Sequence, residues 1–176
     1  MTYLIFLSAI LVIGLGVQAR WAHSRRQLLT GSWSSVLAGA ENIDIEGFTA
    51  IAECYLQPGN LELRIEPAQM WRVVGGFNGL RRLQSNAAAM LNLAVYSERW
   101  NLAQAASVSE LIRHDSLRLN RAITRIRFRY FFGFGVLRTA FHVQEAVVSY
   151  YLIRSRLFGL YQYTHVGLFP GLEAAV

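Results

Sequence analysis

The sequence predicts an all-α fold, with an N-terminal single transmembrane helix followed by a small cytoplasmic helical bundle. Three observations predict it. The chain opens on an uncharged apolar run, Tyr3 to Val17 (YLIFLSAILVIGLGV). Behind it, three long segments repeat their apolar residues at helical spacing. The one alternating stretch, Asn60 to Ile65, has no second strand to pair with.

The opening run supplies 19 residues before Arg20, close to the roughly 20 that cross a bilayer as a helix. Trp21 follows at the height of an interfacial ring. A secretory signal peptide ending at Val17-Gln18-Ala19 competes with this reading, but its leading segment should be cationic. A buried core helix competes too, but rarely starts uncharged at a first residue. Arg20, Arg25 and Arg26 follow the run, and no Arg or Lys precedes it. Cationic flanks stay in the cytoplasm, so the expectation is an inner (plasma) membrane protein, N-terminus out, its bulk cytoplasmic. A later span is not expected. The apolar stretch Tyr130 to Ile153 is interrupted by Arg138, His142, Gln144 and Glu145, and a charge at the bilayer centre costs about 2.5–3.5 kcal/mol.

The expected organisation is an anchor over 1–19, a basic flank and flexible linker over 20–46, an α-helical domain over 47–163 and a C-terminal tail over 164–176. Residues 27–46 are rich in Gly, Ser and Ala. A first helix is expected from about Ile45 to Gln57, stopped by Pro58-Gly59. Glu66-Pro67 opens a short helix through Val74, ended by Gly75-Gly76. In the first long helix Leu80, Leu83, Ala87, Met90, Leu91 and Ala94 share a face, with the end near Trp100-Asn101. The second runs from about Leu102 to Phe132, its stripe made of Val108, Ile112, Leu119, Ile123, Ile126 and Tyr130, with Asp115 at the edge. Gly133 and Gly135 break it. The third runs from about Val136 to Tyr161, with Ala140, Val143, Val147, Phe158 and Tyr161 on one side. One buried side per helix favours a bundle.

Composition narrows the function. Hydrophobic residues make up 53% and charged residues 16% of 176, which excludes a disordered chain. The lone Cys54 cannot form an internal disulfide, and its apolar neighbours point to an inert thiol. All seventeen cations are arginine, a pattern that coding bias produces, so their number alone is no sign of phosphate recognition. Their distribution is more informative. Residues 1–40 hold three arginines and no acid, 41–66 hold six acids against Arg64, and 67–176 hold thirteen arginines against five acids. Opposite potentials attract, so the acidic segment is expected to fold back on the arginine-rich helices.

The most organised polar feature is a row on the second long helix. His114, Arg118, Arg121, Arg125 and Arg129 fall within about 80° of arc at 100° per residue. Such a row suits anionic lipid, nucleic-acid phosphate or an acidic partner. It also suits a plain solvated face. Nucleic acid is the weaker branch. Phe128 to Phe134 interleave with Arg127 and Arg129, but an RNA-recognition motif needs its aromatics on a sheet with phenylalanine directly before the valine, where Gly135 stands. Aromatics around two glycines are expected to close the core where two helices turn.

No catalytic or cofactor-binding constellation emerges. Glu110/His114 and His142/Glu145 have helical spacing, but the Glu-x-x-His pairs of di-iron bundles are missing, so no metal is expected. Arg138, His142, Glu145, Ser149 and Arg156 read as a polar face with intrahelical pairs. His114-Asp115 lacks the further ligands of a phosphohydrolase. No Gly-x-Ser-x-Gly elbow occurs. Gly75-Gly76 before Arg81-Arg82 lacks the lysine and the strand of a phosphate loop, and reads as a turn between helices. The expected role is therefore non-enzymatic, an adaptor or complex subunit held in the bilayer through residues 1–19 and binding another protein. The alternative is a membrane-surface domain binding anionic lipid or polymer through the arginine row.

Overall fold

A computed structural model describes residues 41, 43–56, 65–98, 102–133 and 139–164. The anchor segment, the basic flank, the alternating stretch at 60–64 and the tail beyond Thr164 lie outside them. Five helices make up the described part: α1 (Ile45–Leu56), α2 (Pro67–Val74), α3 (Gly76–Ser97), α4 (Leu102–Phe131) and α5 (Ala140–Thr164). Among the described residues there is no strand, and no described helix is long and apolar enough to cross a membrane.

Local chemistry sets the boundaries. Asp44 caps α1: its Oδ1 accepts the Gly47 N–H at 3.0 Å, filling one of the donors a helix start leaves open. Glu66 is extended and Pro67 occupies the first turn of α2, where a missing N–H is harmless. Gly75 then takes a left-handed conformation (φ 75°) and donates its N–H to the Arg72 carbonyl at 3.0 Å. α3 begins at the next residue. A Cβ on Gly79 would stand 1.5 Å from the Val74 carbonyl oxygen. The close approach of α2's end to α3's first turn therefore requires a glycine. Gly133, at φ 77°, follows the end of α4.

Helix α5 is the centre of the bundle and touches each of the other four. Its strongest packing is antiparallel to α4, while α3 packs on α4, and α1 and α2 lie on α5 and on each other. Residues Ala146 to Tyr150 are all buried in succession, which only a helix covered on most of its circumference can show. The single-sided apolar face expected for this helix is therefore wrong. Neighbours on several sides enclose it, so Val148 and Ser149 are as hidden as Val147. The core joins Leu83, Met90 and Leu93 of α3, Ile112, Leu119, Ile123 and Ile126 of α4, and Tyr150, Ile153 and Leu157 of α5, each 1% exposed or less. Emptying one such site by a Leu→Ala change costs about 2–5 kcal/mol.

Polar links fix the register. Buried Asn86 grips the backbone of Glu41, accepting its N–H at 2.8 Å and donating to its carbonyl at 2.7 Å. Tyr161 donates its hydroxyl to the Leu93 carbonyl at 3.0 Å. On the α3–α4 side Gln84 donates to Asn120 at 2.7 Å and accepts from Arg127 at 3.0 Å. Burial pushes the Tyr150 phenol from its ordinary 10.0 up to about 12, against the opposing pull of the Asn86 amide and the Arg154 charge.

One further expectation is corrected here. Tyr130, placed on the buried stripe of α4, is 51% exposed, because the helix has by then passed the end of the core. Its ring leans on Phe77 instead, 4.8 Å away edge to face. The described part of the acidic segment meets the arginine-rich helices at α3, where Glu41 pairs with Arg82 at 3.4 Å, while α1 packs on α5 and α2.

Candidate functional site

The arginine row forms one continuous strip on the outer face of α4. His114, Arg121, Arg125 and Arg129 are exposed and Arg118 is half-buried. Opposite them on the same helix Ile112, Leu119, Ile123 and Ile126 enter the core, so packing of the apolar face aims the row outward. Arg125 reaches Glu145 at 3.7 Å, a long and partly exposed pair of small energetic weight. His114 Nδ1 lies 3.7 Å from Asp115. Arg118 and Arg121 have no ion pair among the described residues. Leu111 and Leu117, each 49% exposed, flank the strip.

Towards the C-terminal end of α4 the surface turns aromatic. Phe128, Phe131 and Phe132 are exposed, as is Phe141 at the start of α5. Phe128 and Phe132 meet at a tilt, their ring centroids 4.5 Å apart, and Phe131 meets Phe132 edge to face at 5.5 Å. These rings were expected to close the core. They do not, because Phe128, Phe131 and Phe132 point away from the helix side that carries Ile123 and Ile126.

The polar face with intrahelical pairs expected on α5 is turned towards α4, where it forms a seam. Arg156 donates to the Asp115 carboxylate, whose side chain is only 3% exposed, and to the Leu111 carbonyl at 3.2 Å. Ser149 is buried and donates to the Glu145 carbonyl at 2.8 Å. His142, its side chain 9% exposed, donates from Nδ1 to Glu145 at 3.4 Å. That intrahelical pair is present as the spacing indicated, but it is roofed by α4. Arg138 lies outside the described residues.

The two faces meet in a cleft of about 380 Å³ lined by Thr124, Arg125, Phe128, Arg129 and His142. Two turns of α4 supply four of these through i, i+4 spacing, and α5 supplies the imidazole. The only hydrogen bond His142 makes among the described residues uses Nδ1. A second, larger cleft of about 660 Å³ lies between the start of α1 and the α2–α3 turn. Asp44, Asn78 and Arg82 line it beside Phe48 and Val74, a mixed set with no net charge. Among the described residues no three His, Cys, Asp or Glu side chains gather as a metal site. Cys54 is half-buried on α1.

Comparison with known protein families, curated proteins and solved structures finds no match to this chain. The site therefore rests on its own geometry. Sequence reasoning found the row but missed Thr124, Phe128 and His142 as its neighbours. The signal lay in the offset of Thr124/Phe128 by one residue from Arg125/Arg129. Nothing in the sequence placed His142 opposite them.

Proposed function

We propose that this chain is a single-pass, membrane-anchored helical module, without catalytic activity, that docks an anionic surface on the outer face of α4. The observation that carries the reading is the open strip itself. Arg121 is exposed and Arg118 half-buried, neither with an ion pair among the described residues, and the strip continues into exposed Phe128 and Phe132. Guanidinium groups beside amphipathic or aromatic surface suit the headgroup region of an anionic leaflet. The apolar run at 3–17 would tether the domain beside such a leaflet.

The test is purification of tagged full-length protein from native membranes at about 0.05 M and about 0.5 M salt, spanning the range over which exposed charges are screened. The partner protein is the variant with Arg118, Arg121, Arg125 and Arg129 all replaced by glutamine. Anionic phospholipid that co-purifies at low salt, and falls both at high salt and in the variant, supports the reading. Equal lipid with both proteins contradicts it. A second reading, an adaptor for another protein, draws on Leu111 and Leu117 beside the strip, since apolar residues rimmed by charge are also the makings of a protein interface. A defined protein retained at high salt by the parent chain and lost with Leu117→Ser would favour it.

A further inference from the structure

We propose that the cleft between α4 and α5 is a discrete binding site for a phosphate group, the headgroup phosphate of an anionic lipid or a free phosphate. This deepens the reading above and rests on it. The row as a whole is a diffuse surface, but its last two arginines are different. Arg125 and Arg129 are one helical turn apart and line the same cleft of about 380 Å³, at the lower end of the range for small-ligand sites. Guanidinium groups present forked N–H donors that match phosphate oxygens two at a time.

A third group enters from the other helix. The His142 side chain is nine-tenths buried, lines the cleft, and spends Nδ1 on Glu145. Its Nε2 makes no hydrogen bond among the described residues; with Nδ1 donating to Glu145, it is placed to accept from a hydroxyl of the ligand. Phe128 forms an apolar wall and is 63% exposed on its outer side, so a ligand with a hydrocarbon tail finds a continuation where an inorganic ion does not. Glu145 lies 3.7 Å from Arg125 and 3.4 Å from His142, and it limits affinity by offsetting the Arg125 charge.

The experiment is native mass spectrometry of full-length protein released from neutral detergent after addition of phosphatidylglycerol or phosphatidylcholine. The cleft predicts a single retained phosphatidylglycerol. Arg125→Gln with Arg129→Gln should lower its retention about tenfold or more, the size of one lost charge-assisted contact. Arg118→Gln with Arg121→Gln, on the same row outside the cleft, should leave it within roughly twofold. Glu145→Gln should raise retention, by about threefold, because the opposing charge is removed. The four arginines are exposed or half-buried and the Glu145 side chain is 16% exposed, and far-ultraviolet circular dichroism confirms that each variant is folded. Inorganic phosphate added to the same samples separates the sources. It displaces the lipid where the phosphate alone is held, and leaves it where the tail is also needed. Equal losses from the two arginine pairs would overturn the cleft and leave only the diffuse face. No loss from either pair would overturn both readings.

Discussion

Removing either side of the Asp115–Arg156 pair gives unequal costs, and the inequality follows from burial. The Asp115 side chain is 3% exposed and the Arg156 side chain 31% exposed. Arg156→Met leaves a carboxylate that is almost fully buried between α4 and α5 with only the exposed His114 at 3.7 Å beside it, and breaking a buried pair this way costs about 3–5 kcal/mol. Asp115→Asn strands the guanidinium instead. That group still donates to the Leu111 carbonyl and its exposed third can hydrate, so solvent screening reduces the cost to about 1.5–3 kcal/mol. Replacing both, Asp115→Leu with Arg156→Met, removes charge and penalty together and should return stability to within about 1 kcal/mol of the parent. Urea unfolding of full-length protein in neutral detergent, followed by circular dichroism, reads these differences as midpoint shifts at constant slope. If Arg156→Met matches the parent within about 0.5 kcal/mol, or is milder than Asp115→Asn, the pair is not the desolvated link described here.

Four other outcomes are expected. Tyr150 keeps its proton to about pH 12 when folded but releases it near 10.0 when unfolded. Its contribution is therefore intact below pH 10 and is lost as pH rises towards 12. The loss is about 2–3 kcal/mol, and Tyr150→Phe should flatten the alkaline fall in a pH series of urea midpoints. Gly79→Ala forces a Cβ onto the Val74 carbonyl and should destabilise by about 3 kcal/mol or more, measured by the same unfolding curves. Asn86→Ala removes both grips on Glu41; a loss of about 1–3 kcal/mol should come with faster amide exchange at Glu41. Phe131→Ser, at a ring 85% exposed, should leave the urea midpoint within about 0.5 kcal/mol, and a larger fall would place that ring inside the fold.

Much of the fold was legible because local signals agreed with one another. Pro67 and Gly75 bound α2 where the sequence placed its ends, and the α3 residues Leu80, Leu83, Ala87, Met90 and Ala94 are buried as their spacing required. The errors cluster on α5 and on the end of α4, where neighbours and not periodicity decide burial. Helical spacing shows which residues share a face but not how many faces are covered, so the enclosure of α5 was invisible. It also cannot show where a helix outruns its core. Hence Tyr130 was assigned to the interior and Phe128, Phe131 and Phe132 to a closing turn. For the same reason the surroundings of His142 and Arg156 beyond their own helix were not visible. Arg125, which lines the same cleft as His142, and Asp115, which pairs with Arg156, stand on another helix, far away along the chain.

The most direct test of an anionic surface docked on α4 places single nitroxide labels on full-length protein carrying Cys54→Ser. One sits on the strip (Leu117→Cys) and one on α1, which does not pack on α4 (Glu53→Cys), and the protein is reconstituted into bilayers with or without phosphatidylglycerol. The account predicts that phosphatidylglycerol makes the label at position 117 accessible to oxygen and shields it from a water-soluble nickel complex, while the label at position 53 stays in water in both bilayers. A label at position 117 that is equally water-exposed in both would contradict it.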